Sequence, residues 1–85
     1  MQTTDLLSER STTHGSFSDN ARAGQMLRAA FRSSANWDQM PDEHKEALDM
    51  IACKLSRILS GQSRYEDHWR DIAGYATLAA KVCDR

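Results

Sequence analysis

The stretch Ala47-Leu48-Asp49-Met50-Ile51-Ala52-Cys53-Lys54-Leu55-Ser56-Arg57-Ile58-Leu59-Ser60-Gly61 decides the fold. Ala47, Leu48, Ile51, Ala52, Leu55, Ile58 and Leu59 recur three and four residues apart, which lines them along one face of a helix. Upstream, Pro41 has the fixed φ of a first helical position, and Asp42 and Glu43 put acid where the helix dipole favours it. Gly61 stands where a left-handed stop belongs. The spacing therefore predicts a helix over about 41–60.

Two more helices follow on either side. Ala23, Met26, Leu27, Ala30 and Phe31 form an apolar stripe over about 18–34, with Ser18 or Asp19 as N-cap. Downstream, Ser63 and Glu66 have capping-box spacing and open a helix over about 64–83. Its apolar arc, through Tyr65, Trp69, Ile72, Tyr75, Ala76, Ala79 and Val82, covers more than half the circumference and calls for neighbours on several sides. Residues 1–17, rich in Ser and Thr, carry neither period and read as a flexible N-terminal arm ahead of a single helical domain at 18–85. With no period-two alternation and no internal repeat, the expected fold is all-α, a three-helix domain packed further as a helical oligomer.

Composition bounds the function. The 85 residues are 40% hydrophobic and 27% charged, the balance of one small globular unit. A unit of this size is marginal alone, which favours a homo-oligomer. A net charge of -1 supplies no field for nucleic acid or an anionic membrane, although Arg22, Arg28 and Arg32 could line one helix side. No apolar run is long enough for a bilayer and Met1 to Arg10 lacks a signal-peptide core, so the expected location is cytoplasmic. Cys53 and Cys83 lack a CxxC spacing and read as reduced thiols, and the three histidines make no zinc signature.

On a helical wheel, Asp71 falls inside the apolar arc of the third helix and Asp67 at its edge, so Asp71 needs a partner. An antiparallel hairpin turning at Gly61 brings Lys54 or Arg57 to Asp67 or Asp71. Such a constellation either registers the helices as a structural ion-pair network or forms a polar pocket, with Lys54 and Arg57 for phosphate and Asp67 and Asp71 for a divalent ion. Glu43, Glu46 and Asp49 form a second acidic row that could bind Mg²⁺ with retained waters, but Glu46 sits nearly opposite the apolar stripe and the row reads rather as a solvated face. Gly74, mid-helix, implies close approach of another helix or of a ligand. His14-Gly15-Ser16-Phe17 reads as a turn with Phe17 stapled to the first helix, or as an arm that closes over a ligand. Trp37 and Met40 are expected to plug the loop against the core, and Trp37 is the one aromatic residue placed for base stacking.

Lys54-x-x-Arg57 on one helix and Asp67-x-x-x-Asp71-x-x-Gly74-Tyr75-Ala76 on the next, with His14-Gly15-x-Phe17-x-x-Asn20 upstream, resemble a family of short phage and prophage proteins of unknown function over about residues 12–82. Similar signatures occur in a short-tailed coliphage nucleotide kinase that lacks a P-loop and in phage nucleotide-modification domains. The helical layout is more remotely similar to the MazG-like all-α nucleoside triphosphate pyrophosphatases. The resemblance implies a bacterial host cell and nucleotide handling, with Lys54, Arg57, Asp67, Asp71, His14 and Tyr75 as ligand-binding residues and with Asp67 and Asp71 either holding Mg²⁺ or orienting the two cations. The pyrophosphatases use Glu-x-x-Glu and then Glu-x-x-Asp. Glu43-x-x-Glu46 matches the first, whereas Asp67-x-x-x-Asp71 departs from the second, which weakens the case for hydrolysis more than that for binding. The alternative is a non-catalytic phage accessory or interaction module whose charges are structural.

Overall fold

A computed structural model describes residues 15–84. Three helices follow one another: α1 (Phe17–Arg32), α2 (Asp42–Ser60) and α3 (Glu66–Ala80), with a 3-10 turn at Trp37–Gln39 between the first two. There is no strand among the described residues. The all-α, three-helix expectation holds, and each helix is displaced by a few residues at most from its expected bounds. Of the arm expected over 1–17, residues up to 14, and His14 with them, lie outside the described residues.

Helix α2 is central. Both α1 and α3 pack antiparallel along it and share almost no contact with each other, so the molecule is a layer of three helices rather than a closed bundle. Few apolar side chains can be enclosed in such a layer: Ala47 and Ala52 of α2 are buried, with Trp37 closing one end. At that end Phe31 stacks on Trp37 at 6.0 Å between ring centroids, and the Arg32 guanidinium lies 5.0 Å from the Trp37 ring. Trp37 is thus the loop plug expected, and its burial removes it as a base-stacking platform.

The helix ends correct several local expectations. Ser16, not Ser18 or Asp19, caps α1: its Oγ accepts the backbone N–H of Asp19 at 3.1 Å. Gly15, at φ 82, makes the turn that brings Ser16 to that position. Phe17 is 88% exposed and staples nothing. Pro41 is the N-cap of α2, one residue ahead of the expected first turn, with φ −64 and ψ 153. Gly61 receives the end of α2 at φ −125, outside the left-handed region, and its N–H donates to Arg57 O at 2.8 Å. Helix α3 starts at Glu66 behind Tyr65, which leaves Ser63 too far upstream to cap it. The Ser63 carbonyl instead accepts the Trp69 indole N–H at 2.7 Å, and this bond fastens the loop onto α3.

Candidate functional site

Antiparallel pairing of α2 with α3 juxtaposes residues whose numbers sum to a near constant, so Lys54 meets Asp71 and His44 meets Ala79. The Lys54 ammonium lies 3.1 Å from the Asp71 carboxylate. Lys54 is 15% exposed along its side chain and Asp71 is 48% exposed, so the pair has a dry end and a wet one. Farther along, His44 Nε2 is 2.8 Å from the Ala79 carbonyl, and a hydrogen bond there makes Nε2 the protonated ring nitrogen. Cys83 Sγ is 3.9 Å from the same nitrogen, and Cys83 and Cys53 are free thiols.

Of the expected constellation, Lys54 and Asp71 are brought together. Arg57, one turn beyond Lys54, is half-buried, and its side chain makes no hydrogen bond or ion pair among the described residues. Asp67 is exposed on the first turn of α3, likewise with no ion pair among the described residues. Tyr75 is half-buried one turn after Asp71. Asp67 and Asp71 are two carboxylates, one of them already neutralised by Lys54, and no group of three or more His, Cys, Asp or Glu among the described residues could hold a metal ion. The donor set does not make a resident divalent-cation cage.

The acidic row of α2 divides. Glu46 faces solvent as expected, but Asp49 turns toward α1 and takes Arg32 at 2.9 Å and Arg28 at 3.7 Å. Arg28 also donates to the Asp49 carbonyl at 3.0 Å. Two of the three arginines that might have lined a nucleic-acid face are therefore committed to holding α1 on α2. At the opposite end of α1, Gly15 is buried against the Ser60 carbonyl, and a Cβ at Gly15 would collide with that backbone. Asn20 Nδ2 donates to the Gly15 carbonyl at 3.3 Å. The Gly15 to Asn20 part of the upstream motif thus pins the start of α1 to the end of α2.

Sequence reasoning passed over His68, which is 2% exposed and lies with its ring 4.9 Å from that of Tyr65. The signal was present: His68 sits between Asp71 and Ile72 on the wheel, in the middle of the α2-facing arc. Gly74, by contrast, has no heavy atom of the described residues within 4 Å of where a Cβ would stand, so the close packing expected of it is not made among them. Around it Arg70, Ala73, Thr77 and Leu78 line an open depression on the outer side of α3.

A helical layer with an ion pair at the mouth of its α2/α3 seam defines an all-α domain with a polar seam. The chain belongs to the DUF6378 family, a domain of unknown function, whose model matches residues 2–83. No curated protein and no solved structure matches it. Among the described residues no helix is long and apolar enough to cross a membrane.

Proposed function

We propose that the α2/α3 seam binds a nucleotide or a related phosphorylated small molecule in the cytoplasm of a bacterial host, as part of a phage-type protein. The observation that supports this most is Arg57: a half-buried arginine whose planar guanidinium fork suits phosphate, with no ion pair among the described residues. Beside it Lys54 is held along the same seam by Asp71. A phosphate group bridging Arg57 and Lys54 would satisfy both cations, and Asp71 holds the lysine in place while the site is empty. Tyr75, one turn on, would supply a ring and a hydroxyl to the rest of the ligand. The likeness of Lys54-x-x-Arg57 and Asp71-x-x-Gly74-Tyr75 to phage nucleotide enzymes points to the same ligand class. The proposal is of a phosphate site; Mg²⁺ would enter with the phosphates rather than reside.

A second reading rests on the Lys54–Asp71 contact itself. An ion pair already closed can serve simply to set helix register, as in a non-catalytic accessory protein. Thermal-shift titration with nucleoside mono-, di- and triphosphates, each with and without Mg²⁺, separates the two, because a ligand of the folded state raises its stability. One class should stabilise the wild-type chain and fail to stabilise Arg57→Ala, whose own stability stays close to wild type. No stabilisation by any class at millimolar concentration would leave the register reading.

A further inference from the structure

The outer side of α3 carries a pattern that its own chain does not use. Asp67, Gly74 and Lys81 are spaced by seven residues, two helical turns each, and so lie in one row along the helix. All three are exposed. Among the described residues, Asp67 and Lys81 make no ion pair and nothing stands within 4 Å of where a Cβ at Gly74 would lie. Leu78, beside the row, is 58% exposed, and Arg70 flanks it on the other edge of the same depression.

We infer that this row is the contact with a second copy of the chain, two α3 helices crossing antiparallel at Gly74. In a two-fold contact each position is answered by the one equally far on the other side of the axis. With Gly74 on the axis, Asp67 faces Lys81 of the second copy, and Lys81 faces its Asp67. Arg70 faces Leu78 of the second copy in the same way, so the arginine stem lies over the leucine. The charge row is complementary to itself in this direction alone: a parallel crossing would set aspartate on aspartate and lysine on lysine. Gly74 leaves the backbones free to approach, which gives a helix-weakening residue a structural purpose in the middle of α3. The second helix also runs beside Asp71 and adds a wall to the open side of the Lys54–Asp71 pair. That last consequence rests on the phosphate-site reading, whereas the contact does not.

Sedimentation equilibrium of the ligand-free chain tests the contact directly. Wild type should be a dimer in the micromolar range, and Arg57→Ala should dimerise equally well even where it abolishes ligand binding. Asp67→Lys and Lys81→Asp, each of which sets like charges together twice per dimer, should weaken the dimer roughly tenfold, and the double exchange should restore it. Gly74→Glu places two carboxylates at the axis and should give monomers with undiminished helical circular dichroism, since glutamate favours a helix more than glycine does. A wild-type monomer at 100-fold higher concentration, roughly 0.1 mM on that micromolar scale, would overturn the contact. So would a dimer indifferent to both charge reversals.

Discussion

Toward α1, helix α2 offers one carboxylate, Asp49, to two arginines, and a third bond from Arg28 goes to the Asp49 backbone. Toward α3 it offers Lys54 to one aspartate, and Arg57, one turn on, has no ion pair among the described residues. The first seam is closed at both ends, by Trp37 under Phe31 and by Gly15 against Ser60. The second is closed inside, by the buried His68, and open along its rim. Charges in the first seam are used up by the fold, whereas those in the second keep unused valence. That difference separates a structural interface from a candidate binding seam better than residue type does, since both contain the same side chains.

The comparison is broken most severely at Gly15. A methyl group there meets the Ser60 backbone and must also be held at φ 82, where an L side chain is strained. Gly15→Ala should cost about 3 kcal/mol by urea denaturation, the largest effect of any single methyl group in the chain. A variant within 0.5 kcal/mol of wild type, roughly the scatter of a neutral surface change, would show that the first seam is not closed at this end. The size of the effect was not legible in the sequence. The motif around Gly15 invites a reading as a ligand-closing arm or a turn, and only the antiparallel register of α1 on α2 places it over Ser60.

What the sequence did carry was period. The stripe from Ala47 to Leu59 places α2, and the wheel position of Asp71 among apolar neighbours demands the cation that Lys54 supplies. It carried less about direction. Asp49 reads as part of a solvated acidic row until α1 is set beside it, because a wheel gives the angle of a side chain and not which neighbour lies there. Cap positions slipped for a related reason: Ser16 and Ser18 have the same chemistry, and the turn at Gly15 chooses between them. His68 was overlooked because a histidine in an apolar arc looks like an interruption, although its ring packs against Tyr65 as an apolar residue would.

Asp49→Ala tests the structural seam at its centre. It leaves the half-buried Arg28 and the exposed Arg32 without their anion, and should cost about 2 kcal/mol, with loss of the salt sensitivity that a partly exposed ion network confers. Nucleotide stabilisation, measured in the same variant as the rise in melting temperature, should persist, because Lys54 is held on the other seam. If the substitution instead abolishes binding while costing little stability, the assignment of the two seams is reversed.

The smallest effect has the opposite sign. Gly74→Ala adds the same methyl group as Gly15→Ala, on a helix where no atom of the described residues stands within 4 Å to receive it. Alanine's advantage over glycine inside a helix is about 0.8 to 1 kcal/mol, so the dilute, monomeric chain should become more stable by roughly that amount. The two substitutions differ in backbone conformation and in what surrounds it: one glycine is required by the fold of a single chain, and the other weakens it. Thermal melts at nanomolar and at high micromolar concentration sharpen this further. If a second copy packs against Gly74, the gain seen in the dilute chain shrinks at high concentration, where the methyl group holds the two α3 helices apart. A gain of equal size at both concentrations would leave the glycine without a packing purpose.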